Sequence, residues 1–582
     1  MKTKWDLEKL YYKSLTDPQI EKDVKEFESM QESFAKKYTK DKTFLSDPKS
    51  LKKVLDYTEE EAKKGLIKPL FYLLLVRDLD AANTEALALE AKLSERYTKA
   101  GNKTLFFDVE LGAVSKEQQE IFLKSSELAH YKYFLEQLFE NAQFTLSEKE
   151  EKIMSLKSAG SSSKWADMVS TIQSKKMVSY SDGDLPLPEA IEKISTLPKE
   201  KRRELWKNII STFKGMGEMS AHEMNAIVSN HKINAELRGY KTPEEPTVRG
   251  NENKQEVIDG LAETVTKAFS LSHRFYAAKA KYMGETLMYE DKNIDIGKFS
   301  TEFPFEKSAA LVKKSFGEIN PLYADIFQDF LDKGKIDVYP NKGKGGGAFC
   351  AHHTGLPTVI MLNHIDNLRS LETLAHEMGH AIHSERSKTQ SPMYEGYSAA
   401  VAETASTFFE EVIRDTLAKE LPKKDQLLLL HNSIQGDIST IFRQITAYNF
   451  EKDLHKTVRK EGFVSEKDMS KMLSKHLRAQ LGDAVTVSDH DGYFYVYWSH
   501  LRNFFYVYTY AYGQLVSKAL FARYKKDPSY AEKIDIFLTR GGSASAEEIF
   551  EEIGLSFKDG AVFKEGLDAL EKDIELFEKT IK

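Results

Sequence analysis

The feature that most constrains this chain is its scarcity of proline and glycine, the residues that end helices and form turns. Only 15 Pro and 31 Gly are spread over 582 residues, whereas a fold built from many short strands needs turn residues at frequent intervals. Long segments instead place apolar residues at helical spacing between charged ones, as Leu51, Val54 and Leu55 do. The sequence therefore predicts a mainly α fold with many helices, too long for one ordinary domain.

Two breaks interrupt the helical pattern in the first third of the chain. Residues 158–163 read Ser-Ala-Gly-Ser-Ser-Ser, which is typical of a linker, and residues 182–188 contain a further Gly and two Pro. Before them, Ser147 and Glu150 have the spacing of a helix capping box. We place a boundary near residue 190, which gives an N-terminal helical domain over residues 1–190 and a second domain over residues 191–582.

One short segment departs from the helical pattern. Residues 335–362 contain the run Gly345–Gly347, then Ala348–Ala351, and then the apolar, β-branched stretch Thr358–Leu362. Short apolar runs bounded by glycine are typical of strands. We expect a small β-sheet here, with helices resuming at Leu368.

Composition excludes several functional classes. The 83 basic and 90 acidic residues are mixed and leave a net charge of −7, which argues against nucleic-acid partners and a polybasic membrane surface. The single cysteine, Cys350, excludes intrachain disulfides and cysteine-rich zinc modules. No apolar run approaches the ~20 residues of a membrane span, and no secretory signal is evident, so we expect a cytoplasmic protein without a membrane partner.

The strongest chemical motif is His376-Glu377-Met-Gly-His380. Two histidines four residues apart lie on one face of a helix, where both imidazoles can bind one metal ion. Zinc lowers the pKa of a bound water to ~7, and an adjacent carboxylate can accept the proton of that water. The motif thus supplies two zinc ligands, His376 and His380, and a general base, Glu377.

A catalytic zinc needs a third protein ligand. His383 lies on the same helix, but three ligands along one straight helix cannot easily surround a tetrahedral ion, so we assign it to packing or to orienting a ligand. Glu403 is a lone carboxylate within an apolar part of the helical segment 397–413, which favours it as the third ligand. Glu410 lies seven residues further on the same face, where it could orient a ligand imidazole.

Residues 493–512 contain seven tyrosines around His500. A zinc hydrolase needs donors for the oxyanion of its tetrahedral intermediate, and phenol or imidazole groups can serve. On a helix, His500 and Tyr508 would lie about two turns apart, and Tyr506 and Tyr510 one turn apart. The alternative interpretation is an aromatic helix that packs in the core.

Several of these segments together resemble the oligoendopeptidase F group of the thimet-type family of zinc metallopeptidases. The similarity covers the HExGH motif and segments along almost the whole chain: Trp5–Leu7, Phe106–Glu110, Leu146–Glu151, Gly346–Cys350, Tyr397–Ser406 and Phe505–Ala511. The resemblance implies a multi-helix metallopeptidase fold with a small sheet beside the active site. It also implies a deep substrate channel, which the N-terminal domain covers.

The resemblance further implies roles for individual residues. His376, His380 and Glu403 would bind one Zn²⁺ per chain, and Glu377 would be the general base. His500 and Tyr508 would stabilise the transition state. Because the segment between them is shorter here than in thimet-type relatives, Tyr506 or Tyr510 are alternatives to Tyr508.

We therefore expect a zinc endopeptidase that hydrolyses short unfolded peptides. A peptide would add as a strand beside residues 348–351, with Phe349, Tyr506 and Tyr510 as substrate-binding residues. The alternatives are a zinc carboxypeptidase of similar fold, which needs a cation for the substrate C-terminus, and a non-enzymatic peptide-binding relative. The sequence makes no prediction of oligomeric state.

Overall fold

A computed structural model describes residues 1–158 and 160–582 and confirms the mainly α prediction. In the N-terminal region the helices are α1 (Leu7–Leu10), α2 (Pro18–Tyr38), α3 (Pro48–Lys63), α4 (Lys68–Leu79), α5 (Thr84–Gly101), α6 (Phe106–Gly112), α7 (Lys116–Lys124), α8 (Lys132–Ala142), α9 (Glu148–Ser158), α10 (Ser162–Lys175) and α11 (Leu187–Lys193). The predicted linker falls between α9 and α10, with residue 159 outside the described residues.

The remaining helices make up the larger part of the molecule. They are α12 (Lys199–Arg238), α13 (Glu245–Gly250), α14 (Gln255–Lys267), α15 (Phe269–Met283), α16 (Phe305–Ile319), α17 (Pro321–Lys333), α18 (Leu368–Ser387), α19 (Ala399–Glu420), α20 (Lys423–Asp437), α21 (Arg443–Glu461), α22 (Glu466–Leu481), α23 (Tyr508–Lys526), α24 (Ala531–Thr539), α25 (Ala546–Glu552) and α26 (Ala561–Thr580). A π-helical turn, Ile438–Phe442, joins α20 to α21. Within the described ranges, no helix has the combination of length and apolar character that crossing a bilayer requires.

Local capping explains several helix starts. Asp17 and Asp47 each accept a backbone N–H from the first turn of the helix that follows, and each is followed by a proline at the first helical position. The predicted capping box is present: Ser147 N donates to Glu150 Oε2 at 3.0 Å, and Glu150 N donates to Ser147 Oγ at 3.4 Å. These contacts satisfy backbone donors that the helix itself leaves free.

The described residues contain seven short strands. They are β1 (Met177–Val178), β2 (Leu185–Pro186), β3 (Leu287–Met288), β4 (Ile336–Asp337), β5 (Phe349–Ala351), β6 (Val359–Met361) and β7 (Val485–Thr486). The three strands within the segment predicted to be a sheet pair in the order β4–β6–β5. Strand β4 is parallel to β6, and β5 is antiparallel to it. This confirms the small sheet within residues 335–362, and it leaves β5 as an edge strand.

The buried side chains form three clusters. Two lie in the N-terminal region, over residues 5–97 and 34–139, and the largest spans residues 178–577. Side chains of β5 and β6 belong to the first N-terminal cluster, and Trp5 Nε1 donates to the Ile360 carbonyl at 2.8 Å. The N-terminal region thus packs on a sheet that belongs to the second predicted domain. The boundary near residue 190 stays a prediction.

Candidate metal centre

Helices α18 and α19 cross at very short range. A Cβ built at Gly379 would lie 2.8 Å from Ser406 Cα and 3.0 Å from the Phe409 ring. A glycine in the middle of a helix costs about 1 kcal/mol relative to alanine, so its use here is explained by this contact. The close approach brings the HExxH motif on α18 against the carboxylates of α19.

Three of the predicted ligands converge at this crossing. One ligand atom from each of His376, His380 and Glu403 lies within 4.8 Å of the other two. The two Nε2 atoms are 3.2 Å apart, and His376 Nε2 is 3.7 Å from Glu403 Oε2. All three side chains are partly exposed, so this cluster faces an accessible space.

This donor set fits zinc. Zinc in proteins is bound tetrahedrally by imidazole and carboxylate groups at about 2.0–2.2 Å. Two nitrogens at that distance from one tetrahedral ion are about 3.3 Å apart, close to the 3.2 Å between the imidazoles of His376 and His380. Three protein ligands leave the fourth position for a water molecule, as catalytic zinc requires.

A partly buried chain of ion pairs contacts His376 at Nδ1, whereas Nε2 of the same ring faces the other ligands. Its Nδ1 is 2.6 Å from Glu410 Oε1, and Glu410 Oε2 accepts a hydrogen bond from Arg414 at 2.8 Å. Although burial alone would lower it, the hydrogen bond and charge of Glu410 raise the pKa of His376 to about 9. The same guanidinium contacts Glu372 on α18, so Arg414 joins the two helices.

Sequence reasoning found Glu410 but not Arg414. The only signal for Arg414 was its spacing of four residues after Glu410, a common helix pair that is usually a surface contact. Its burial, which makes it important here, cannot be read from that spacing. Glu372 on α18, which accepts a hydrogen bond from Arg414, was also missed, because its burial cannot be read from the sequence either.

Glu377 lies beside the ligands and next to the edge strand. It is buried, and burial raises the pKa of its carboxyl to about 7. The backbone N–H of Cys350 in β5 donates a hydrogen bond to this carboxylate. The candidate base therefore lies between the ligand cluster and the strand along which we expect a peptide to bind.

His383 packs in the core and contacts none of the ligands by a hydrogen bond. Its ring stacks on Tyr397, with centroids 3.7 Å apart and planes 10° apart. Neither ring nitrogen has a hydrogen-bond partner among the described residues, and burial lowers its pKa to about 3. This placement favours packing over ligand orientation, the two roles that the sequence allowed.

The tyrosine-rich segment is not one continuous helix, so the helical spacing assumed for it is wrong. His500 lies in a short 3-10 turn, Ser499–Arg502, and α23 begins only at Tyr508. Between them, Phe505 has a φ of 62°, a conformation that a bulky residue rarely adopts. The buried Glu451 carboxylate accepts the Phe505 N–H at 3.0 Å and holds this turn.

Because of this turn, the side chains of Tyr506 and Tyr510, rather than that of Tyr508, contact His500. The rings of Tyr506 and Tyr510 lie 5.6 and 5.8 Å from the His500 ring, centroid to centroid, and 5.7 Å from each other. Tyr508 instead is fully buried and its hydroxyl donates to Asn253 Oδ1 at 2.9 Å. This arrangement favours Tyr506 or Tyr510 over Tyr508 as partner of His500.

Helix α23 connects the tyrosines to the ligand cluster. A Cβ built at Gly513 would lie 2.8 Å from Glu403 Cβ, so α23 passes directly over this ligand. Tyr510 is one turn before Gly513 on α23, which puts it on the same side of the helix. Tyr510 therefore lies on the side of α23 that passes over Glu403, and its ring contacts that of His500.

A cavity of about 680 Å³ opens beside the cluster. Its lining includes His376, Glu377, Gly347, Ala348 and Arg369. It thus reaches from the candidate base, past the two residues that precede the edge strand, to the first turn of α18.

Phe349 points away from the ligand cluster. It packs with the N-terminal cluster of buried side chains, and its ring centroid is 6.2 Å from that of Trp5. Its backbone, as part of the edge strand, is the portion that a bound peptide would meet.

Comparison with known proteins identifies relatives over the whole chain. Residues 197–568 match the model described as Peptidase family M3, and residues 110–173 match the one described as Oligopeptidase F. Oligopeptidase PepF of Bacillus subtilis (strain 168) is 26% identical over 592 residues, covering 98% of this chain and 87% of that protein.

Solved structures share the fold. A structure from Chlamydophila abortus, described as that of a peptidase, has a TM-score of 0.82 at 22% identity and covers 92% of this chain and 91% of its own. Oligoendopeptidase-F from Enterococcus faecium has a TM-score of 0.68 at 18% identity, with 97% of both chains covered.

Proposed function

Because the chain belongs to peptidase family M3, we propose that it is a zinc-dependent endopeptidase that hydrolyses internal bonds of short oligopeptides. The observation that carries this proposal is the meeting of His376, His380 and Glu403 within 4.8 Å, with Glu377 beside them. Two nitrogens, one carboxylate and an adjacent free carboxylate are the groups that metal-assisted peptide hydrolysis needs.

Zinc held by His376, His380 and Glu403 would supply a water molecule of near-neutral pKa and would polarise the scissile carbonyl. Glu377 takes the proton of the attacking water and then delivers it to the leaving amine. Its buried position supports this role, since burial raises the pKa of the carboxyl to about 7. That pKa is close to the near-neutral pKa of a zinc-bound water, which favours proton transfer between the two. Glu410 and Arg414 keep the His376 ring in the orientation that presents Nε2 to the metal.

His500 and a tyrosine beside it donate hydrogen bonds to the developing oxyanion. A neutral phenol can do this without bringing charge into the site, and such a donor is worth ~10²–10³ in rate. Tyr510 is the best candidate, since α23 carries it on the side that touches Glu403. Tyr506 stacks on the His500 ring, meets the Tyr510 ring edge-on and serves as the second candidate.

The substrate lies along the free edge of β5. Among the described residues β5 is paired with β6 on one side only, so its other side offers backbone groups for a peptide strand. Main-chain pairing of this kind requires an extended peptide, which excludes the interior of folded proteins. Short unfolded peptides are therefore the substrate class.

Metal removal and restoration test the proposal. Purified protein is dialysed against a chelator and then titrated with zinc, while hydrolysis of a fluorogenic peptide blocked at both ends is followed. We expect activity to return with about one zinc per chain. Glu403→Ala should retain less zinc after dialysis, because one of three protein ligands is lost.

The two alternative functions, a zinc carboxypeptidase and a non-enzymatic peptide-binding protein, predict different results in the same assay. A carboxypeptidase would leave the doubly blocked peptide intact and would shorten a peptide with a free C-terminus one residue at a time. A peptide-binding protein without activity would bind zinc and cleave neither substrate. Either result would reject the endopeptidase proposal.

A further inference from the structure

Arg502 uses every hydrogen-bond donor that its side chain has. Its Nε and Nη2 donate to the two carboxylate oxygens of Glu223 on α12, at 3.0 and 2.8 Å. Nη1 donates to the carbonyls of Tyr495 and Trp498 at 2.8 and 3.0 Å, and Nη2 donates also to that of Val496 at 3.1 Å. A guanidinium has five N–H groups, so all of them are engaged by the protein itself.

The three carbonyls belong to the stretch of chain that leads into His500. This stretch, residues 495–498, ends one 3-10 helix and immediately precedes the next, which carries His500. Arg502 lies two positions after the histidine, so its side chain folds back and ties together the backbone on both sides of it. Short 3-10 helices have poor hydrogen-bond geometry of their own, and these contacts therefore do much to fix the segment.

The ion pair anchors the same segment to the long helix α12. The Arg502 side chain is only 9% exposed, and that of Glu223 is fully buried. Tyr495 adds a second contact, because its hydroxyl donates to the carbonyl of Gly217 on α12 at 3.1 Å. A bidentate contact between arginine and carboxylate fixes orientation as well as distance. The backbone around His500 is thus held against α12.

The His500 ring has no such anchor of its own. It makes no hydrogen bond to any residue that the structure describes, and it is partly exposed. Its ring contacts are with Tyr506 and Tyr510, at 5.6 and 5.8 Å between centroids. A donor to an oxyanion must be placed to within a few tenths of an ångström. For His500, that precision has to come from its backbone.

We propose that Arg502, through its pair with Glu223, is a positioning residue that places His500 for its contact with the oxyanion. The proposal rests on the endopeptidase function and on the role of His500 proposed above. Because the Arg502 donors are all engaged within the protein, it makes no contact with the substrate. The His500 contact acts in the transition state, so its misplacement lowers kcat and leaves KM and zinc content nearly unchanged.

Arg502→Lys tests this with the positive charge retained. An ammonium can still pair with Glu223, but its three donors on one atom cannot reach a carboxylate and three carbonyls. For a blocked fluorogenic peptide and the zinc-loaded protein, we expect kcat to fall about 10²-fold, the effect of displacing a catalytic group by ~1 Å.

Arg274→Lys is the matched control. Arg274 on α15 also binds a carboxylate, that of Glu578, through Nε and Nη2, but in a partly exposed contact. This variant should keep the kcat of the wild type. A comparable loss of kcat in Arg274→Lys would overturn the proposal, because losing any arginine–carboxylate pair would then have the same effect.

A double-mutant cycle separates positioning from a merely structural role. If Arg502 acts through His500, adding Arg502→Lys to His500→Ala should cause little further loss of kcat/KM. Losses that simply add in the double variant would assign Arg502 to structure alone and reject the proposal. A folded Arg502→Lys protein with the kcat of the wild type would reject it as well.

A second pair of substitutions decides the matter if Arg502→Lys does not fold. Arg502→Gln combined with Glu223→Gln removes both charges together, so no buried charge is left uncompensated. The two amides cannot replace the donors to the three carbonyls, and kcat should again fall while KM and zinc content stay. A kcat equal to that of the wild type in this variant would contradict the role of Arg502.

The position of His500 can also be measured without activity. In protein with ¹³C-labelled histidine, the His500 signal is identified by its absence in His500→Ala, and its shift depends on the nearby rings of Tyr506 and Tyr510. We expect this signal to move in Arg502→Lys and to stay in place in Arg274→Lys. An unmoved signal in Arg502→Lys would overturn the proposal. If the wild type cleaves no peptide, the endopeptidase function fails, whereas the NMR signal still reports whether Arg502 positions His500.

Discussion

Glu410 Oε1 lies 2.6 Å from His376 Nδ1, and its other oxygen is bound by Arg414. The carboxylate therefore fixes both the tautomer and the orientation of this imidazole, with Nε2 free for a metal. Glu410→Gln removes the charge and the ion pair with Arg414. We expect zinc affinity to fall by ~10–100-fold, measured by competition with a chromogenic chelator.

The matched control for that variant is Glu420→Gln. Glu420 is also on α19 but pairs with Lys314 in an exposed contact far from the ligands. This variant should bind zinc as the wild type does. Equal zinc affinity in both variants would remove Glu410 from the metal centre.

Glu377→Gln should separate catalysis from metal binding. The amide has nearly the shape of the carboxylate but cannot accept the proton of the attacking water, so we expect kcat to fall by ~10²–10⁴. Zinc content and thermal unfolding should stay close to wild type. The control is Glu385→Gln, which lies on the same helix and pairs with Lys388. An active Glu377→Gln enzyme would reject this residue as the base.

Three phenylalanine variants test the oxyanion donor. Tyr510→Phe should lower kcat by ~10²-fold with little change in KM, because a donor to the transition state is lost. Tyr508→Phe should keep kcat but destabilise the protein by about 1–2 kcal/mol, since Asn253 loses its buried partner. Tyr506→Phe should leave kcat nearly unchanged, and a large loss of kcat in Tyr506→Phe with Tyr510→Phe near wild type would make Tyr506 the donor.

Steady-state kinetics with a blocked fluorogenic peptide and thermal unfolding decide among these outcomes. A collapse of kcat in Tyr508→Phe alone would contradict the placement of this side chain. If kcat is unchanged in all three variants, the tyrosines pack and the donor lies elsewhere.

Gly513→Ala should damage the metal centre without touching a ligand. The added methyl would lie 2.8 Å from Glu403 Cβ, so α23 and α19 must separate or Glu403 must move. We expect weaker zinc binding, measured by chelator competition, together with lower stability. Gly436→Ala in α20 is the control, because its Cβ meets no atom within 4 Å. That change should raise stability slightly, by about 0.5–1 kcal/mol.

His231 should make the protein less stable in acid. Burial lowers its pKa to about 4, whereas an unfolded histidine titrates near 6.5. The unfolded state therefore binds the proton more readily, so the full stability is present above about pH 6.5 and decreases as the pH falls toward 4. At pH 5 the loss from this group is about 1–2 kcal/mol.

His231→Phe tests this by replacing the imidazole with an uncharged ring of similar shape, which can still pack on Phe504. Its free energy of unfolding should fall less than that of the wild type between pH 8 and pH 5. Chemical denaturation at the two pH values measures the difference. Equal losses in both proteins would show that His231 is not protonated on unfolding.

Short-range patterns were enough to select the three side chains that meet in the candidate metal centre. The spacing of His376 and His380 follows from helix geometry, and Glu403 was selected as a lone carboxylate in an apolar stretch of another helix. The small sheet was visible because its glycines and β-branched residues contrast with the surrounding helical pattern. The close helix crossing leaves a mark in the sequence as well, since Gly379 is unfavourable in the middle of a helix unless another element packs closely against it.

Prediction was less accurate where a long-range contact decides the local conformation. Residues 500–508 carry no glycine or proline that would mark a turn, yet Phe505 adopts a left-handed conformation. Glu451, 54 positions away in sequence, holds this turn by accepting one backbone N–H. The resemblance implied Tyr508, with Tyr506 and Tyr510 as alternatives, and only the folded chain shows that these two rings lie beside His500.

The contact between Trp5 and the small sheet also has a consequence for the order of synthesis. Trp5 Nε1 binds the carbonyl of Ile360, 355 positions later in the chain. A ribosome makes the indole long before its acceptor, and non-local pairings of this kind form slowly. Residues near position 5 therefore cannot make this contact until the strand at 359–361 has emerged from the ribosome. The sheet beside the candidate metal centre is thus completed late in synthesis, after most of the chain has been made.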